Sequence, residues 1–255
     1  LRNYYKFHDV DIDRYIIDGK LTQMFLSVRE LDKEALDDNA KTWVNQHLKY
    51  THGYGLTMSP VNKVTSSGQP SMVVRNVPPV SDYKELEVTV PQVYFGELTN
   101  DYVVVNTDEQ EFDYPMGEEL QTTKYQGTAG IKLNFLNKVL YSIREGSFKL
   151  LVSGGVNSDS KIIINRNIMD RVNKIAPFLS YDEDPYAVVV NGKIYYIIDG
   201  YTTTKYFPYA EPFNENANYI RNSFKVIVDA YNGDVDYYIV DEKEPLVETY
   251  SKIFP

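Results

Sequence analysis

The chain of 255 residues carries 36 acidic against 26 basic residues, a net charge of −10, with three histidines, 23 tyrosines, one tryptophan and no cysteine. That balance repels a phosphate backbone or an anionic lipid surface unless basic residues cluster, and no cluster stands out, which argues against nucleic acid as a partner. Without thiols there is no disulfide and no Cys-His dyad, and a chain of this length buries about three quarters of its unfolded surface without a staple.

In chain order, Asp9, Asp11 and Asp13 alternate with Val10 and Ile12. On a strand this spacing places three carboxylates on one face and turns the apolar pair toward the core. Oxygen-only ligation suits a divalent cation such as calcium or magnesium. Three side chains spread along one strand grip one ion only if the strand bends or if Asp182 and Asp184 contribute from elsewhere. The pattern is no EF-hand, since its sixth position is Arg14 and its twelfth is Lys20. The competing expectation is a solvated charged face near an edge strand.

Asp18-Gly19 then separates two strand-like runs, as Asn191-Gly192 and Asn232-Gly233 do later, each predicting a hairpin with a two-residue turn. Leu36, Ala40, Trp43, Val44, His47 and Leu48 recur at the helical period, predicting a helix over about 39–50 capped by Asp38 or Asn39. His47 falls on its buried face, bonded to backbone rather than acting as a ligand or base. His52, five residues on, leaves that face, and the two rings converge only if the chain folds back after Tyr50.

Residues 65–79 read as a surface loop, as do residues 113–130. Neither is polar or repetitive enough for a flexible linker, so residues 1–255 are expected to form one continuous soluble domain, with 113–130 as the place where two lobes would divide. The flanks of Leu98-Thr99-Asn100 predict a fourth antiparallel pair. Leu133, Leu136, Val139, Leu140 and Ile143 form one helical stripe, and Ile164, Ile168, Val172 and Ile175 another, stopped by Pro177. Segregated strands and helices predict an α+β fold with antiparallel or mixed sheets built from hairpins and three or so packed helices.

Five blocks carry a resemblance: TWVNQHLKYTHGYGLTMSPVNKVT, PQVYFGELTNDYVVVNT, EFDYP, RNIMDRVNKIAPFLSYDEDPY and NYIRNSFKVIVDAYNGDVDYYIVDEKEP. In content and order they are similar to uncharacterised protein family 0182, large bacterial multi-pass membrane proteins. The resemblance implies a soluble portion on the extracytoplasmic side of a cell membrane, following membrane-spanning helices that this chain does not contain. It implies no reaction and no catalytic residues. FKVIVDAYNGDVDYYIVD also resembles, more weakly, the strand-turn-strand of PepSY-type domains.

Catalysis finds no complete set of roles: there is no GxSxG elbow, and residues 154–160 lack the GK[ST] ending of a phosphate loop. The expectation is a non-catalytic binding or sensing domain without a cofactor. Its partners are its own transmembrane portion and an envelope glycan or peptide met by its tyrosines. Two alternatives stand beside it: a metal-dependent cell-envelope hydrolase using His47 and His52, and a scaffold packing on its membrane portion.

Overall fold

Asp18 and Gly19 adopt positive φ, 49° and 73°, the backbone that a tight right-twisted hairpin demands. The turn joins β2 to β3 in a computed structural model that describes residues 5–117 and 119–254. Strands make up 39% of the structure and helices 19%, in mixed antiparallel sheets, so the class is α+β.

The first sheet begins with β1 (Tyr5–Phe7), β2 (Asp11–Ile17) and the long β3 (Lys20–Leu31). β3 pairs antiparallel with β2, Ile17 facing Lys20, and then with β1, Phe7 facing Arg29. β4 (Gly53–Tyr54) precedes β5 (Leu56–Pro60), β6 (Val74–Arg75) and β7 (Val80–Ser81), which extend this sheet, while β4 itself pairs with β8 (Gln92–Val93).

β9 (Val103–Val105) leads to a hairpin of β10 (Glu111–Met116) and β11 (Glu119–Thr123), and β12 (Ile131–Lys132) to helices α1 (Phe135–Arg144) and α2 (Phe148–Val152). β13 (Lys161–Ile163) lies between β12 and β9, and α3 (Ile168–Ile175) ends where Pro177 forbids continuation.

The second main sheet comprises β14 (Ser180–Tyr181), β15 (Tyr186–Val190), β16 (Lys193–Thr204), β17 (Tyr219–Asp229) and β18 (Val235–Ile239), with α4 (Pro245–Ile253) last. Asn191-Gly192, again at positive φ, turns β15 into β16. The largest apolar cluster draws on both sheets, from Met24 and Leu26 to Tyr196 and Val226, and on α4 through Val247. Burial of this kind is the dominant favourable term in folding.

Several expectations are corrected. In place of one helix over 39–50 there is a 3-10 turn, Asp38–Ala40, and a π-helix, Asn45–Lys49. The Asn45 side chain donates to the Ala40 carbonyl at 2.8 Å, taking an acceptor that a continuous α-helix would need, and the capping hydroxyl is that of Thr42, which accepts from the Asn45 amide at 3.2 Å. The fourth hairpin does not form: β8 pairs with β4 and β9 with β13, because the intervening loop is bound to other segments. Residues 113–130 are not simply a loop. They contain most of the β10–β11 hairpin, whose Glu118 lies outside the described residues.

β17 and β18 pair as expected, but through residues 230–234 rather than a two-residue turn. Asp229 accepts from the amides of Tyr231 and Asn232, at 2.7 and 2.9 Å, and these bonds stabilise the longer loop. β2 and α1 each present the face opposite to expectation. Val10 and Ile12 are exposed while Asp11 turns inward, and of the α1 stripe only Leu133, just before the helix, is buried. The reason on β2 is the open edge of β15. Ala187 and Val189 donate their amides to Asp11 Oδ2 at 2.9 Å and to the Tyr15 hydroxyl at 3.0 Å. These bonds satisfy donors that an unpaired edge would otherwise leave without a protein partner, and they join the two sheets.

Candidate functional site

Arg166 follows β13 and is fully buried, so each of its donors needs an acceptor. Nε donates to the Tyr94 carbonyl at 2.8 Å, one terminal nitrogen to the Thr51 carbonyl, and the other to Asp101 Oδ1 at 3.3 Å. Asp101 also receives Lys33 Nζ on its second oxygen, and Lys33 in turn reaches the Gln46 carbonyl. Burial pushes the Asp101 carboxyl up, but Lys33 and Arg166 outweigh it and hold the group below the usual carboxylate range. Burial pushes the Lys33 ammonium down to about 8 in spite of Asp101.

His47 closes this arrangement from the π-helix. Its Nδ1 lies 2.8 Å from the Tyr102 carbonyl and 3.9 Å from Asp101 Oδ2, and its ring stacks on Tyr102 at 4.1 Å. Burial lowers its pKa below the ordinary imidazole value, which leaves the ring neutral near pH 7. Lys33, His47, Asp101 and Arg166 line a cleft of about 460 Å³ together with Lys6, Glu34, Thr99 and Asn100. Lys6 and Glu34 add exposed charges of both signs at this cleft.

His52 belongs to a different network. Its Nδ1 is 2.8 Å from the Thr51 hydroxyl, its Nε2 3.2 Å from Asp113 Oδ1, and its ring packs 4.6 Å from Tyr94. Thr51 spends its proton on Glu111, which also accepts from the Tyr94 hydroxyl at 2.8 Å and the Tyr125 amide at 2.9 Å. Both His52 ring nitrogens therefore face acceptors. Among the described residues the two histidines share no hydrogen-bond partner, and Arg166, bonded to Thr51 and Asp101, bridges their networks.

Of the acidic residues singled out from sequence, Asp9, Asp11 and Asp182 each take partners of their own. Asp9 accepts from the Val10 amide at 2.6 Å, and its carbonyl accepts from Ser27. Asp11 binds the β15 edge and shares a local acidic field with Asp9, Asp184 and the buried side of Glu97. Asp13 stands opposite Met24 in the sheet register. Asp182 accepts from the Asp184 amide at 3.1 Å and from the Tyr201 hydroxyl at 2.8 Å. Among the described residues, no group of three or more His, Asp or Glu side chains is placed to hold a metal ion.

Sequence reasoning passed over Lys33, Asp101, Glu111 and Arg166. For Arg166 the local signal was a charge one residue beyond the apolar run Ile162-Ile163-Ile164; Lys33, between Asp32 and Glu34, carried none. Nothing in spacing links residues 33, 101 and 166, which only the tertiary fold brings together.

The family description "Uncharacterised protein family (UPF0182)" matches residues 1–255. The chain belongs to this family. It is 58% identical over 255 residues to a UPF0182 protein of Alkaliphilus metalliredigens, covering all of this chain and 27% of the relative. A UPF0182 protein of Clostridium botulinum (strain Kyoto / Type A2) is 54% identical over 254 residues, and one of Clostridium acetobutylicum 52% over 255. This member of UPF0182 therefore spans little more than a quarter of the length of these curated relatives. No solved structure matches the chain. Among the described residues, no helix is long and apolar enough to cross a membrane.

Proposed function

We propose that this UPF0182 chain is a non-catalytic binding or sensing domain on the extracytoplasmic side of a larger bacterial membrane protein. The membrane placement is supported by the family resemblance and by the greater length of the relatives. The binding role is supported by one observation above all: a cleft of about 460 Å³ whose buried charges are already paired with one another. Preorganised, mutually neutralised groups are costly to recruit for acid-base work but suit recognition of a polar ligand.

Lining residues of both charge signs, with the exposed Asn100 side chain beside them, favour a neutral or zwitterionic ligand. An envelope glycan fragment or a short peptide has that chemistry. Titration of the chain with soluble muropeptides, followed by heteronuclear NMR, tests the reading. Shifts confined to the Lys33, His47 and Asn100 region, weakened in the exposed-rim variants Lys6→Ala and Glu34→Ala, are expected. Turnover of the muropeptide would overturn the non-catalytic reading. No shift at millimolar ligand would overturn the assigned ligand class.

A further inference from the structure

Helix α1 sets Tyr141 against a second apolar cluster but leaves most of its apolar residues outside. Leu136, Leu140 and Ile143 form its apolar stripe, and the fold turns that stripe to solvent at 64%, 52% and 74% exposure. Inward it presents Ser142, bonded to the Lys138 carbonyl at 2.6 Å, and Lys138, whose ammonium donates to the Val156 carbonyl at 2.9 Å. Phe135 precedes the stripe at 81% exposure, and Phe148 and Val152 of the adjoining α2 continue the apolar surface. An amphipathic helix normally buries its apolar face, so a stripe turned outward marks a surface that meets something apolar.

The charges around it identify what. Residues 131–152 hold four basic residues against the single acid Glu145. Lys138 is turned inward and Arg144 pairs with Glu145 at 3.3 Å, so the exposed Lys132 and Lys149 make a small basic island, too sparse to stand out in the sequence, in a chain of net charge −10. At physiological ionic strength charges are screened over about 8 Å, so a surface within a few ångströms of α1 meets this island rather than the acidic whole. Apolar side chains, two of them phenylalanines, with flanking lysine and arginine are the composition of helices that lie in a bilayer interface. A second copy of this chain would bring the same positive island against itself. We infer that the α1–α2 face docks on an anionic phospholipid surface, Leu136, Leu140, Ile143 and Phe148 entering the headgroup boundary while Lys132 and Lys149 meet the phosphates.

Co-flotation of the chain with vesicles of phosphatidylglycerol and phosphatidylcholine tests this. Binding to mixed vesicles and little binding to pure phosphatidylcholine are expected. The triple variant Leu136→Ser, Leu140→Ser, Ile143→Ser, with an unchanged melting curve, should partition at least ~10-fold more weakly. Lys132→Glu with Lys149→Glu, which leaves the apolar stripe intact, should do the same. Absence of binding to phosphatidylglycerol vesicles, or binding unaltered in both variants, would overturn the proposal. So would a concentration-dependent dimer that the serine variant abolishes, which would assign the face to a second copy.

Discussion

The Glu30 carboxylate rests directly against Gly96: a β-carbon on Gly96 would stand 2.4 Å from Glu30 Oε2. That carboxylate is buried and accepts from the amides of Glu97 and Leu98, both at 2.8 Å, and from the Tyr196 hydroxyl at 2.9 Å. Successive backbone amides thus form an anion cradle in which the anion is the protein's own side chain. Gly96 is needed here for close approach, since its φ is not among the positive ones.

Gly96→Ala is therefore expected to lower stability by roughly 2–4 kcal/mol, combining overpacking with loss of hydrogen bonds to a buried charge. Urea denaturation measures it. A variant within about 0.5 kcal/mol of the parent, the range of ordinary surface substitutions, would mean that Glu30 moves aside at little cost.

The acidic surroundings of Glu97 set a pH dependence. Burial first, then Glu30, Asp11, Asp9 and Asp184, push its carboxyl up to about 8, and burial likewise pushes Asp11 up to about 6. Both groups hold a proton more tightly folded than unfolded, so their contributions are complete below about pH 4 and are lost as pH rises through 6 and 8. Lys33, held down at about 8, acts in the opposite sense. Between about pH 8 and 10.5 the unfolded chain binds the extra proton, and stability recovers. The expected profile has a minimum near pH 8. Glu97→Gln should raise the melting temperature at pH 8 to 9 and leave it unchanged at pH 5, which differential scanning calorimetry across that range can check.

Arg166 joins residues distant in sequence through Thr51, Tyr94 and Asp101, and its planar fork serves three directions at once. Lysine carries the charge but cannot reproduce that geometry. Arg166→Lys is expected to cost about 3–5 kcal/mol, the range for breaking a buried ionic network by removing one partner's contacts. The loss should appear together with weakened ligand shifts at the cleft. A loss below about 1 kcal/mol in chemical denaturation would show that the network is not essential to the fold.

The turns were legible in the sequence because their chemistry is local: Asp18-Gly19 and Asn191-Gly192 each carry the positive φ that their residue types favour. The helix ending ahead of Pro177 was legible for the same reason. Which face of an element is buried was not. On β2 the period-2 pattern placed Asp11 outward, yet the unpaired amides of Ala187 and Val189, some 175 residues away, draw Asp11 and Tyr15 inward. On α1 the apolar stripe looked like core, although Lys138 and Ser142 occupy the inner face. Periodicity reports that a face exists, and only tertiary contacts decide where it points. The cleft was hidden for the same reason: residues 33, 47, 101 and 166 come from four separated segments.

Trp43, the chain's one tryptophan, provides a probe of that cleft. Its indole donates to the Tyr102 hydroxyl at 2.9 Å, and its ring lies 5.6 Å from that of His47, which itself stacks on Tyr102. A protonated imidazole at this distance quenches indole emission, so Trp43 fluorescence should fall when His47 takes up a proton. Because burial lowers the His47 pKa, the midpoint is expected below about pH 6.5, the unperturbed imidazole value. His47→Phe keeps the ring stack and should abolish the transition, while His47→Ala should also cost roughly 1–3 kcal/mol through the lost packing and hydrogen bond. A midpoint at or above 6.5, or a transition that survives in His47→Phe, would show that the ring does not titrate in the buried stack against Tyr102.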